Sequence, residues 1–177
     1  MNEDPPFVQD LAALNEIVTA LNRTVDVKSV LDASLEQLVA VLGLQTAWIF
    51  LREETAQDLW WGKGYILAAH QGLPPAMKLD NPEAWFKGCD CQGYCDRGRL
   101  TAAYNEVRCT RLQDIAGDRR GLEVHASVPL RSGASVLGIL NVAAHDWSAF
   151  SPEALEFLGN VGNQMGAALE RARLYDC

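Results

Sequence analysis

Four of the chain's five cysteines lie close together in its middle: Cys89, Cys91, Cys95 and Cys109, spaced C-x-C-x3-C-x13-C. The stretch that holds the first three is polar, with Asp90, Gln92 and Asp96 interleaved, so these thiols are poor apolar filler. Gly88, Gly93 and Gly98 let the backbone turn tightly around a small central object. Four thiolates are the ligand complement of an iron–sulfur cluster or of a tetrahedral zinc ion. Structural zinc sites mostly use knuckles with two to four residues between cysteines, whereas a cluster is wider than one ion and tolerates other spacings. The single residue between Cys89 and Cys91 therefore leans toward a cluster, 4Fe–4S or 2Fe–2S, with zinc as the alternative. Lys87, Arg108 and Arg111 adjoin ligand positions, where they can offset thiolate charge; ordinary surface placement accounts for them equally well. Cys177, at the far end of the sequence, is expected to stand outside this set.

Other chemistry is thinly represented. His70, His125 and His145 are isolated in sequence, and a lone strand histidine is more often structural than a haem ligand. There is no H-E-x-x-H pattern and no glycine-rich phosphate loop with its lysine. A net charge of −8, from 15 basic and 23 acidic residues, argues against nucleic acid as a partner. Arg108, Arg111, Arg119 and Arg120 are too few for a basic stripe and read as a salt-paired loop. Trp60, Trp61, Tyr65, Trp85 and Phe86 are either core or the lining of an apolar pocket. The first ten residues are acidic and contain Pro5 and Pro6, unlike a secretory leader. No run of about 18 apolar residues occurs. The expectation is a cytoplasmic chain without direct membrane contact, whose cysteines are ligands or redox groups rather than disulfides.

The elements that must position the cysteines follow from periodicity. Apolar residues at Phe7, Leu11, Leu14, Val18 and Leu21 predict a helix over 7–24. Asp26 caps a second helix, and Gly43 stops it. Strands are predicted over Leu44–Leu51, Leu59–Ala69, Val124–Leu130 and Ser135–Ala143, with Pro129 marking an edge or strand end. Asn81-Pro82 starts a short helix through Phe86. Residues Cys89–Leu112 have the weakest periodicity; a short helix around Leu100–Tyr104 and a short strand over Val107–Cys109 are expected there. Ser151 and Pro152 open a last helix over 152–175. Its Leu155, Leu158, Gly162, Met165, Leu169 and Ala172 suit either a two-helix seam or a stripe facing a sheet. Residues 1–177, 49% apolar, form one α+β domain, an antiparallel sheet covered by helices. The helices over 7–24 and 152–175 are expected to pair with a second copy as a homodimer.

Three stretches carry a family resemblance. These are the opening Leu14-Asn15-Glu16-Ile17-Val18-Thr19-Ala20-Leu21-Asn22 through Leu42; Ser127-Val128-Pro129-Leu130-Arg131-Ser132-Gly133 followed by Leu137-Gly138-Ile139-Leu140-Asn141-Val142; and Phe150-Ser151-Pro152-Glu153 with the last helix. Their order resembles a GAF domain of bacterial sensor histidine kinases. The resemblance implies about six antiparallel strands, terminal helices on one face, and a ligand pocket under variable loops on the other. The cysteine segment falls where those loops occur and is similar to a subset of such domains that carry an iron–sulfur cluster. In that comparison Cys89, Cys91, Cys95 and Cys109 are the cluster ligands.

The function expected is redox or oxygen sensing that signals to a histidine kinase output region, in cis or in trans, with no catalysis by the chain itself. Two other readings remain at this point. A zinc site on a small-molecule-binding domain would use the same four thiols. A free methionine sulfoxide reductase would use a low-pKa thiolate with a resolving thiol, drawn from Cys89, Cys91 and Cys109.

Overall fold

The structure is a computed structural model, and it describes residues 12–19, 26–52, 64–81, 83–86, 90–104 and 110–175. Helix α1 comprises residues 12–19. Helix α2 (Val27–Leu42) begins at Asp26, whose side chain accepts from the Ser29 amide at 3.0 Å, and ends at Gly43 with φ 64°. That left-handed turn is one glycine adopts without penalty. Strands β1 (Thr46–Arg52), β2 (Tyr65–Gln71), β3 (Val124–Ser132) and β4 (Ser135–Ala144) form one antiparallel sheet in the order β2-β1-β4-β3. Between β2 and β3 the chain carries α3 (Glu83–Phe86), α4 (Asp90–Asp96) and α5 (Thr110–Asp114). Helix α6 (Pro152–Tyr175) closes the fold; Ser151 Oγ accepts from the Ala154 amide at 3.1 Å as its N-cap.

Both faces of the sheet are buried, and strand alternation divides them. Ala47, Ile49 and Leu51 of β1, Val124, Ala126, Val128 and Leu130 of β3, and Leu140 and Val142 of β4 face the helices. There they meet Ile17 of α1, Leu31, Leu35 and Leu38 of α2, and Leu158, Val161, Met165 and Leu169 of α6. Trp48 and Phe50 of β1 with Ile139 and Ala143 of β4 point the other way. They form a second core with Met77, Trp85, Cys91, Cys95, Leu100 and Leu112 from the long β2–β3 connection. The α+β class, the helix-covered face and the cysteine-bearing opposite face agree with the sequence reading.

Three expectations change. Four strands, not about six, are present among the described residues. At the outer edge of β3 one bridge forms among the described residues, Tyr104 to Ser127, and residues 53–63 and 105–109 lie outside the described set, as does the strand expected over Val107–Cys109. No helix forms at Leu100–Tyr104, because Tyr104 exchanges backbone hydrogen bonds with Ser127 at 3.0 and 3.1 Å instead. The cysteine segment, with its weak periodicity, contains a helix, α4. Pro129 behaves as expected of an edge residue. Its neighbour at i−2, Ser127, turns its amide outward to Tyr104, so the missing N–H of Pro129 also faces outward and costs no bond to β4.

The apolar stripe of α6 lies on its own sheet. A methyl group built on Gly162 would sit 2.6 Å from the Pro129 carbonyl oxygen, and one on Gly166 would sit 1.8 Å from that of Arg131. These two glycines let the helix backbone rest directly on β3. Gly166→Ala should therefore lower the unfolding free energy by about 1–3 kcal/mol. Gly159→Ala, where nothing lies within 4 Å of the new methyl, should raise it by about 0.5–1 kcal/mol. Urea denaturation measures both, and a Gly166→Ala protein as stable as the parent would contradict this close approach.

Candidate functional site

The cysteine segment supplies two thiols whose positions are described. Cys91 and Cys95 stand one turn apart on α4, so they share a helix face. Both are buried, neither is in a disulfide, and both belong to the second core. Cys89 and Cys109, the other two predicted ligands, lie outside the described residues, as do Lys87 and Arg108. Among the described residues no three His, Cys, Asp or Glu side chains converge as metal ligands. The i, i+4 spacing of Cys91 and Cys95, with Gln92 buried beside them, was the available helical signal, and Gly93 obscured it.

The walls of this region are aromatic. Trp48 meets Trp85 edge-on at 5.9 Å between centroids, and Phe50 meets Trp85 at 6.1 Å and Tyr65 at 6.4 Å. Such T-shaped contacts add to the stabilisation that burial gives. The Trp85 indole donates to the Met77 carbonyl at 2.8 Å. Of the aromatics proposed from sequence as pocket lining, Tyr65 and Trp85 are buried here; Trp60, Trp61 and the side chain of Phe86 lie outside the described set.

Arg111 is not a surface group. It is 7% exposed, and its guanidinium lies 4.9 Å from the Trp85 ring centroid and 5.5 Å from that of Phe50 while donating to the Ala84 carbonyl. A guanidinium is the cation best suited to such burial, because it is weakly hydrated and stacks on rings. The thiol side of the sheet thus contains a buried positive charge. No carboxylate is buried among the described residues.

The opposite end of α4 is tied to the sheet. Tyr65 of β2 donates to Asp96 Oδ1 at 2.8 Å, and its hydroxyl also contacts the Cys95 thiol. The Arg52–Asp96 ion pair, 3.9 Å long and half-exposed, adds little.

A row of polar side chains, overlooked in the sequence, crosses the sheet on this same face. Trp48 pairs with Asn141, and Asn141 pairs with Ser127. Ser127 Oγ donates to Asn141 Oδ1 at 2.8 Å and lies 3.1 Å from His125 Nδ1. The Trp48 and His125 rings meet edge-on at 5.5 Å. All four side chains have no solvent exposure. Their sequence signal was the polar residue at alternate positions of otherwise apolar strands, His125-Ala126-Ser127 and Asn141 within Leu140-Asn141-Val142. His70 and His145 are exposed.

Burial, followed by the neighbouring Cys95 and Asp96, raises the Tyr65 pKa well above the ordinary tyrosine range. A group whose folded pKa is raised contributes stability that is complete below its unfolded pKa, about 10, and is lost as pH climbs toward the folded value. In a spectrophotometric titration of the four tyrosines, Tyr65 should ionise last. Tyr65→Phe should remove that late component and lower stability at neutral pH by about 1 kcal/mol. Loss of an ordinary-range component instead would contradict the buried contact.

Comparison with known proteins gives the fold a family. A family model described as "GAF domain" matches residues 24–170. The sensor histidine kinase YhcY of Bacillus subtilis (strain 168) is 36% identical over 172 residues, which cover 94% of this chain and 44% of that protein. The chain thus spans less than half the length of that relative. The GAF domain of a phosphoenolpyruvate-protein phosphotransferase from Coxiella burnetii superposes with a TM-score of 0.71 at 16% identity, covering 97% of this chain and 99% of that one. A free methionine-R-sulfoxide reductase from Neisseria meningitidis, solved with its substrate, superposes with a TM-score of 0.69 at 15% identity, covering 99% and 96%. With the helix-backed antiparallel sheet and the matched span of residues 24–170, the chain belongs to the GAF domain family.

Proposed function

We propose that this GAF domain is the cytoplasmic sensory region of a histidine kinase and reports oxygen or redox state through an iron–sulfur cluster held by Cys89, Cys91, Cys95 and Cys109. The observation that carries this reading is the placement of Cys91 and Cys95. They are two buried, unbridged thiols on one face of α4, in a core that also holds the Arg111 guanidinium. Ligation requires thiolates, and a buried cation lowers the cost of placing them there. Cys89 immediately precedes α4, and Cys109 immediately precedes α5, whose Leu112 belongs to the same core. An all-thiol donor set fits iron–sulfur ligation. When bound, the cluster supplies a redox-active, oxygen-labile centre. The chain's own part is to hold four sulfurs, exclude water with Trp48, Phe50 and Trp85, and anchor α4 to β2 through Tyr65.

The relationship to YhcY supports the kinase output as partner. A homodimer belongs to the same proposal. Because the stripe of α6 is taken up by its own sheet, that dimer is built on other residues, among them Leu174, which is 70% exposed. Among the described residues no helix is long and apolar enough to cross a membrane. Catalysis by the thiols is the weaker reading. A sulfoxide reductase needs a reachable thiolate; of the thiols that reading draws on, Cys91 has no solvent exposure, and Cys89 and Cys109 lie outside the described residues.

Purification without oxygen, followed by iron, sulfide and zinc quantification, tests the proposal. Iron and acid-labile sulfide in comparable amounts are expected, with visible absorption that bleaches in air. Cys91→Ser and Cys95→Ser should each lower bound iron several-fold, and Cys177→Ser should not. Zinc without sulfide, or metal-free protein under these conditions, would overturn the cluster.

A further inference from the structure

The Tyr65 hydroxyl stands against the cysteine helix where three acceptors meet. Asp96 Oδ1 accepts from it at 2.8 Å, the Gln92 carbonyl oxygen lies 3.5 Å away, and the Cys95 sulfur is in contact. A phenol has one proton to donate. The 3.5 Å contact is at the limit of a hydrogen bond, so the Asp96 carboxylate and the Cys95 sulfur compete for that proton.

The parts around the hydroxyl are held. Tyr65 is 1% exposed, its ring meets Phe50 edge-on, and its backbone is paired with Arg52 of β1. Arg52 in turn reaches Asp96. Rotation about the tyrosine C–O bond therefore decides which acceptor receives the proton. The two acceptors are unequal. The Asp96 side chain is 52% exposed and has Arg52 beside it, so water and the guanidinium satisfy it when the proton points elsewhere. Cys95 is buried, and a hydrogen bond to its sulfur acts in a low dielectric, where it is stronger.

Hydrogen bonds to cysteine sulfurs are among the factors that set an iron–sulfur potential. They favour the form with more negative charge on sulfur, which is the reduced one. We infer that Tyr65 raises the reduction potential of the cluster by donating to Cys95 Sγ, and that Asp96 limits this by competing for the same proton. The inference rests on the cluster proposed above and adds which residues fix how readily it takes up an electron. Tyr65 keeps its proton in both oxidation states; it is a positioning residue that acts through Cys95.

The test is a redox titration of the 177-residue chain, isolated without oxygen with its cluster, using dithionite as reductant and ferricyanide as oxidant. Visible absorption gives the ratio of reduced to oxidised cluster. Tyr65→Phe should lower that ratio about tenfold at a fixed potential, which is about 59 mV for a one-electron couple. Asp96→Asn, whose amide is the weaker acceptor, should raise it several-fold. In the Tyr65→Phe background the Asp96→Asn change should be clearly smaller, because the two act on one proton. If Tyr65→Phe does not fold, the rise in Asp96→Asn should persist in about 1 M salt, where the field of a half-exposed charge is screened. A purely structural Tyr65 would change iron content or stability and leave the potential where it is. An unchanged potential in Tyr65→Phe, equal Asp96→Asn shifts in both backgrounds, or a shift that salt abolishes would overturn the shared proton while leaving the cluster. A parent chain that assembles no cluster would overturn the proposed function itself, and this inference with it.

Discussion

The rest of the structure depends on a sheet that is buried on both sides. A strand turns successive side chains to opposite faces, and here each face meets a different environment. On one, aliphatic residues of β1, β3 and β4 meet the apolar stripes of α2 and α6. On the other, Trp48, Phe50 and Tyr65 meet Trp85 and the two thiols of α4. A one-residue slip in β1 would send Trp48 into the helices and Ile49 toward the cysteines, so the register of the central strands fixes the site.

Strand β3 carries the contacts that join the two cores. On the site face, Ser127 and His125 belong to the polar row. At its edge the backbone of Ser127 bonds Tyr104, and the Arg131 guanidinium donates to the Leu100 carbonyl at 3.2 Å. On the helix face the carbonyls of Pro129 and Arg131 lie against Gly162 and Gly166. Arg131 therefore touches the loop that follows the cysteine helix with its side chain and the last helix with its backbone. A packed contact of this kind leaves little room for β3 and α6 to move separately.

The legible parts of the sequence were those governed by strong local rules. Asp26, Gly43, Ser151 and Pro152 mark helix ends through capping chemistry, and each end is found where they put it. The four strands announced themselves by apolar runs bounded by turns. The cysteine segment was harder. Gly93 and the interleaved polar residues masked α4, whose stability comes from packing Cys91 and Cys95 into the second core rather than from propensity. Arg111 resembled a loop cation because nothing local shows that Trp85 and Phe50 will enclose it. The polar row was hidden for the same reason: Trp48, Asn141 and Ser127 meet only through strand pairing far apart in sequence. The packing of the apolar stripe of α6 on its own sheet was likewise decided by tertiary contact at Gly162 and Gly166.

The proposed cluster requires four sulfurs to gather on one inorganic centre beside the second core. X-ray absorption at the iron edge, on chain isolated without oxygen, addresses it most directly. Iron surrounded by sulfur alone in its first shell is expected, with a second iron close behind. Absence of iron, or a lone zinc ringed by sulfur with no neighbouring metal, would contradict it.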